Sequence, residues 1–338
     1  EMAEGGEWRD RLNGDWREAI EASVPGSVHA ALVEAGRLPD PTVGRNQELA
    51  EKESYKTWWL RTSFTHPGFE GPIRLVLDGV CDKCTIWMNG NKLGSHQGMF
   101  APIVFDIGEL LQDENTLVVR LHAIPEQPRK IQDVSAPHNV SWRDTVVFNN
   151  VYGWHYSKCP SLGIWRSVRL EEDPTVRIVG PYVTARNTTG DADLIVDLEG
   201  DGSWGGKLTG WIEPVNFKGS THSFSASISG RGRKCWHGRF HIPDPQLWWP
   251  NGMGKQNLYR MTLTFKPQSP AGGGFGGASG GVASSTTFTF GLRTIQMAPL
   301  PEGKRPDRYN WTYVINGRPS FVKGSGWCTL DPLMDFRR

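Results

Sequence analysis

Asn316-Gly317-Arg318-Pro319-Ser320-Phe321-Val322-Lys323-Gly324-Ser325-Gly326-Trp327 is the stretch from which the rest of the chain is best read. Asn316-Gly317 is a turn signal, since both residues tolerate the left-handed backbone that a tight hairpin needs. It feeds a short apolar strand at Phe321 and Val322, which runs into a Gly-rich segment and a Trp. A single strand can neither satisfy its own backbone groups nor bury its own apolar face. Such a strand pairs with something upstream or opens a further domain. The favoured expectation is the second, which makes this chain the front part of a longer protein.

Working outward, the 338 residues suffice for two or three domains. The formal net charge of +1 supplies no basic field to draw in nucleic acid. No apolar run is long enough to span a membrane, and the acidic, polar start does not itself read as a signal peptide, although a cleaved one would leave no trace. Gly (40), Pro (23) and Trp (15) are abundant, which suits short strands, tight turns and aromatic contact surfaces. The five cysteines are too few and too scattered for a disulfide framework. Cys81 and Cys84 have metal-ligand spacing without the further ligands that zinc requires, and Cys84, Ile86 and Met88 share one strand face. Both thiols therefore read as small buried groups, and neither a metal nor a cofactor is expected.

Residues 7–23 read as irregular strand. Ser27 is an N-cap for a short helix over residues 28–36, with Gly36 as terminator. Strands are expected at residues 58–64, 73–77, 85–88, 103–105, 116–122 and 165–170, with a hairpin turn at Asn89-Gly90 and a helical turn near residues 106–111. A boundary is expected near residues 171–174. A second strand-rich block follows, at residues 176–185, 193–199, 207–213, 235–242, 258–265 and 286–292, with a Gly-rich hairpin insertion before the last strand. The fold class is mainly β, a jelly-roll β-sandwich followed by an immunoglobulin-like β-sandwich.

Five stretches carry a resemblance. They are Val24-Pro25-Gly26-Ser27-Val28-His29 with Leu38-Pro39-Asp40-Pro41; Gly163-Ile164-Trp165-Arg166-Ser167-Val168; Pro245-Gln246-Leu247-Trp248-Trp249-Pro250 through Tyr259; Phe290-Gly291-Leu292-Arg293; and the tail quoted above. In this order they resemble the N-terminal half of glycoside hydrolase family 2, in its β-mannosidase-like branch. The resemblance implies a galactose-binding-like jelly roll (1–172), an immunoglobulin-like sandwich (173–293) and the incomplete start of a (β/α)8 catalytic barrel (294–338). It further implies a retaining exo-β-glycosidase acting on a β-linked oligosaccharide or glycoside, with no nucleic-acid or membrane partner. A non-catalytic carbohydrate-binding module, or a fragment of a related exo-β-glucosaminidase or β-galactosidase, is the alternative.

Retaining hydrolysis needs two carboxyl groups about 5–5.5 Å apart, and a barrel supplies them from the ends of its strands. In the family the acid/base is a Glu directly after an Asn. This chain has no Asn-Glu dipeptide, so it carries no catalytic residue, and the chain alone is expected to be inactive. Asp331 and Asp335 read as solvated loop. In β-mannosidase relatives a loop before the Gly-Ile-Trp-Arg strand reaches the barrel mouth with Trp-Asp-Trp-Gly. The matching segment here has Trp154, but His155 replaces the acid and Tyr156 the second Trp. Trp154 and His155 are thus the candidate substrate contacts, together with Trp327 at the end of the tail. His155 can hydrogen-bond a hydroxyl but cannot grip two as a carboxylate does. Trp248-Trp249 reads as packing rather than as a sugar platform, and His237 with His241 as a surface pair.

Overall fold

Local chemistry explains most of the elements. A computed structural model describes residues 1–5, 16–69, 71–124, 162–268, 282–300 and 311–326. The chain divides by contact after Glu172 into two units, the second running from Asp173 to Ser325.

In the first unit, β1 (Met2–Glu4), β3 (Trp58–Thr65), β9 (Glu114–Leu121), β6 (Lys83–Met88) and β7 (Asn91–Gln97) form an antiparallel sheet in that order. A second sheet has the order β11 (Val168–Glu172), β4 (Ile73–Leu77), β8 (Ile103–Asp106), and a third joins β2 (Gly26–Ser27), β10 (Gly163–Ile164) and β5 (Val80–Cys81). Leu75, Leu77, Ile86, Met88 and Leu121 are fully buried in the common core. The five-stranded sheet is also covered on its other face, where Trp16, Trp59, Trp87 and Val118 cluster and the Trp59 and Trp87 rings lie 5.3 Å apart. Trp58 and Trp59 thus serve opposite faces, as strand alternation requires. Asn89 and Gly90 both have positive φ and close the hairpin between β6 and β7.

Two helices accompany these sheets. α1 (Val28–Glu34) starts where expected, with Ser27 Oγ accepting from the Ala30 amide at 3.1 Å, and gives way at Gly36, whose φ is +67°. α2 (Gln47–Ser54) was not expected, although Glu48, Ala50, Glu51 and Lys52 are good helix formers. Of the expected strand at residues 7–23, residues 16–23 are described and contribute one bridge, Ile20 to Met2. Cys81 and Cys84 are buried; desolvation raises both thiols, Cys84 to about 12, so neither is a thiolate at neutral pH.

In the second unit, β12 (Val176–Ala185), β13 (Asp191–Pro214), β15 (Tyr259–Pro267) and β16 (Ser284–Phe290) follow one another, with β14 (His222–His241) on the other side of β13. The two expected strands at residues 193–199 and 207–213 are one bent strand. Its first half pairs with β12 and its second with β15, and the register slips between Glu199 and Ser203, where Gly202 takes positive φ. Leu194, Val196, Leu198, Leu208, Leu263 and Phe265 fill the core.

The tail corrects one premise of the opening reading, that its strand has no upstream partner. β17 (Ile295–Pro299), β18 (Trp311–Ile315) and β19 (Arg318–Ser320) form a three-stranded antiparallel sheet, so the strand after the Asn316-Gly317 turn has an upstream partner. Its position differs as well. A two-residue turn sets Ile315 opposite Arg318, pairing ends at Tyr313–Ser320, and Phe321 and Val322 lie beyond the strand, exposed. Asn316 has φ +49° and binds in three directions: its amide to the Thr294 carbonyl at 3.0 Å, its Oδ1 to the Thr294 amide at 2.9 Å, and its Nδ2 to the Trp248 carbonyl at 3.0 Å. Asn316→Ala should cost about 2 kcal/mol, from stranded polar groups and a strained backbone. Chemical denaturation of the two proteins checks this.

Candidate functional site

The three residues singled out for substrate contact, Trp154, His155 and Trp327, lie outside the described residues. The Asp331 and Asp335 reading lies outside them too. What the structure does describe is the base from which the segment 125–161 leaves and to which it returns.

The return side is β10. Gly163 pairs with Ser27 on one side and Cys81 on the other, and Ile164 with Gly26 and Val80. This three-way junction explains why residue 163 is glycine. A Cβ there would lie 2.4 Å from the Gly26 carbonyl oxygen and 2.7 Å from the Ser27 Cα. Trp165 follows, its Nε1 donating to the Met99 carbonyl at 2.9 Å and its amide to the Gly79 carbonyl at 3.1 Å. Arg166 lies over the Trp165 ring at 4.2 Å. The Gly-Ile-Trp-Arg stretch is thus an anchor made of backbone pairing, one indole and a stacked guanidinium.

The departure side is the end of β9. Leu121 and Ile124 are buried, and between them His122 bonds Thr85 Oγ1 through Nε2 at 2.8 Å. Desolvation, with Arg120, Lys83 and Lys92 nearby, lowers His122 to about 4, so the ring is neutral at pH 7.

Both sides meet at the helix pair. The Val28 amide donates to the Leu162 carbonyl at 2.8 Å, and the Ile124 amide donates to the Ser54 carbonyl at 2.9 Å. Residue 29, adjacent to one anchor, reaches the other. The His29 Nε2–H donates to the Ala50 carbonyl at 3.0 Å and lies 3.1 Å from Ser54 Oγ. His29 is wholly buried, and its Nδ1 has no hydrogen-bond partner among the described residues. Burial holds its pKa down at about 4, with the Ala50 bond opposing, because a proton on Nδ1 would be a buried charge without an acceptor. A neutral histidine therefore clamps α1 to α2, and the two helices hold both ends of the 125–161 segment. His29 was legible only as part of the Val-Pro-Gly-Ser-Val-His stretch; its partners sit on the helix that sequence reading missed.

The other tempting groups are accounted for within the second unit. Arg293 lies over Trp248 at 4.7 Å and Arg318 over Trp249 at 5.3 Å; the Trp248 amide donates to the Leu292 carbonyl and its carbonyl accepts from Asn316 Nδ2. These rings are packed rather than offered as platforms. His241 pairs with Asp191 at 2.8 Å and His237 lies 3.4 Å from Cys235 Sγ, all on exposed strand. Among the described residues no group of three or more His, Cys, Asp or Glu side chains is placed to hold a metal ion.

The described residues thus form two β-rich units, and in the first a strand junction and a helix pair flank the segment 125–161. The sequence profile "Glycosyl hydrolase 2 galactose-binding domain-like" matches residues 7–166, and "Glycosyl hydrolases family 2" matches residues 176–270. The chain belongs to glycoside hydrolase family 2. It is 25% identical to β-mannosidase of Rattus norvegicus over 98% of this chain and 38% of that protein. It is 28% identical to the mannosylglycoprotein endo-β-mannosidase of Lilium longiflorum over 93% of this chain and 34% of that one. The crystal structure of β-D-mannosidase from Dictyoglomus thermophilum superposes with a TM-score of 0.71 at 25% identity, over 90% of this chain and 37% of that one. The chain spans less than two fifths of the length of the curated relatives named here.

Proposed function

We propose that this chain supplies the two front domains of a retaining exo-β-glycosidase whose substrate is a terminal β-mannoside. The observation that carries the reading is its likeness, over nearly its whole length, to proteins named as β-mannosidases. In this reading the catalytic carboxylates come from a barrel that follows the tail hairpin, about 5–5.5 Å apart as retention demands. This chain contributes binding rather than proton transfer. Trp154 stacks on the apolar face of the sugar, His155 donates or accepts one hydrogen bond at a hydroxyl, and Trp327 lines the pocket mouth. A segment reaching in from a neighbouring domain closes one end of the cleft, which favours attack at chain ends.

The rooted base supports this role. A side chain that must meet a sugar to within a fraction of an ångström needs a support fixed at both ends. The backbone bonds of Leu162 and Ile124 supply it.

The test is an assay with an aryl β-mannoside on two proteins, the 338-residue chain and a product of the same gene extended through a barrel. The chain alone should show no turnover above buffer, and the extended protein should show a covalent glycosyl-enzyme intermediate. Turnover by the chain alone, free of contaminating hydrolase, would overturn the proposal. So would an extended protein that cleaves β-glucosaminides or β-galactosides in preference.

A further inference from the structure

Beyond its bulge, β13 alternates between two environments. Leu208 and Ile212 are buried in the core of the second unit, so Thr209, Trp211 and Glu213 face the other way. The register names their neighbours on that outer face. Trp211 lies between Ser223 of β14 and Thr262 of β15. One row further along, Glu213 opposes Arg260, and the two form an ion pair at 3.0 Å. An indole thus stands in the middle of a sheet with hydroxyls on three sides and a carboxylate–guanidinium pair on the fourth.

The ring is not used by the fold as the other indoles are. Trp58, Trp59, Trp165 and Trp204 each donate Nε1–H to a backbone carbonyl, and Trp248 and Trp249 carry stacked guanidinium groups. Trp211 has neither kind of partner among the described residues and is 50% exposed. Its surroundings also differ from those of a protein-docking patch, whose centre is apolar and whose rim is polar. Here every in-register neighbour on the face is a hydroxyl or a charged group. The segment 269–281 joins β15 to β16 at the other end of these strands. Pro267 pairs with Gly206, five residues from Trp211 on β13, which is about 17 Å along an extended strand.

We propose that this outer face of the second unit is a binding site for an internal stretch of a β-linked hexose chain, with Trp211 as its platform. The chemistry of the row selects such a ligand. A pyranose with mostly equatorial hydroxyls presents a C–H face, which stacks on an indole, and directs its hydroxyls sideways. Neighbouring strands lie about 4.8 Å apart, so the hydroxyls of Ser223 and Thr262 flank a ring seated on Trp211. Each of them both donates and accepts, as a sugar hydroxyl does. Glu213 accepts from a hydroxyl of the same or the next ring, and Arg260 donates to one. The surface is a flat sheet face rather than a pocket, so a chain can pass across it in both directions. The proposal does not depend on the enzymatic reading, since this binding needs no barrel and its failure would leave the aryl β-mannoside assay untouched.

Calorimetric titration of the 338-residue chain with mannohexaose, which is β-linked, and with maltohexaose as the α-linked control tests it. Binding of the first and not of the second is expected. Trp211→Ala should weaken it roughly tenfold or more, whereas Trp211→Phe, which keeps a flat ring, should weaken it by less than about threefold. Ser223→Ala, which removes one hydroxyl, should weaken it by roughly threefold. Flat isotherms for the unaltered chain overturn the proposal. So does unchanged binding by Trp211→Ala, which would put the sugar elsewhere. Equal loss in the alanine and phenylalanine variants, together with a lowered Tm, would make the ring a support of the sheet and also overturns it. Hydroxyl-radical labelling of the sugar-free chain supplies the last arm. Trp211 should be oxidised far faster than the buried Trp59, and equal protection of the two would mean that the face is already covered and the proposal wrong.

Discussion

Replacing Gly163 by alanine is expected to destabilise the first unit by about 3 kcal/mol or more and to release the return end of the 125–161 segment. The added methyl group is small, but it has nowhere to go. It would sit 2.4 Å from the Gly26 carbonyl oxygen and 2.7 Å from the Ser27 Cα, and both are backbone atoms of β2 that cannot rotate away. β2 is itself tightly seated, since a Cβ on Gly26 would lie 2.5 Å from the Ser23 carbonyl oxygen. Relief therefore requires β10 to separate from β2. That separation breaks the Gly163–Ser27 and Ile164–Gly26 pairing and strains the Val28-to-Leu162 bond. Urea denaturation followed through tryptophan fluorescence gives the stability change, and a loss below about 0.5 kcal/mol would contradict the steric account. Gly90→Ala is the useful contrast. Nothing lies near a Cβ there, so its cost is only that of the left-handed backbone, about 1 kcal/mol.

The difference between those two glycines shows what the sequence could disclose. Asn89-Gly90 and Asn316-Gly317 are legible as turns because the requirement is local, a positive φ at two adjacent positions. Gly163 is glycine for a reason created by a strand over a hundred residues away, and only likeness to a family marked it. The same division runs through the fold. Ser27 capping α1 is a contact between neighbours in sequence and was readable. Gly200-Asp201-Gly202 looks like a break between strands, yet β13 passes through it as a bulge, because β14 continues to pair on both sides. The first half of β14 was missed because Ser223, Ser225 and Ser227 alternate with Phe224, Ala226 and Ile228, a weak apolar signal. That half is held by its ladder with β13, with Ile228 buried and Phe224 and Ala226 packed against the core on one face. At the candidate site the sequence offered Trp154 and His155, residues of the segment itself. It did not offer the clamp, since a histidine whose function is to join two helices is invisible until both helices are seen.

That clamp sets the second large effect, a loss of stability in mild acid. The ordinary value for a histidine is 6.5, and burial holds His29 at about 4. Below pH 6.5 the unfolded chain takes up a proton at this residue that the folded chain refuses. Stability is thus complete above about pH 6.5, falls as the pH drops from there toward 4, and loses no more from this residue once the folded form is protonated too. Because His29 is wholly buried, the interval corresponds to about 3 kcal/mol. His122, also held at about 4 but less enclosed, adds a smaller contribution of the same sign. Unfolding free energies of the first unit measured between pH 4 and 7.5 should therefore slope upward with pH. His29→Gln, which keeps a donor for the Ala50 carbonyl but cannot titrate, should be less stable at pH 7.5 yet flatter across the interval. Parallel slopes for the two proteins would remove His29 as the source. The consequence is positional, because protonation pushes α1 from α2 and those helices hold Leu162 and Ile124. The 125–161 segment should then loosen at its root, with faster amide exchange at Ile124 and Val28, at a pH where the remaining β-sheets are still intact.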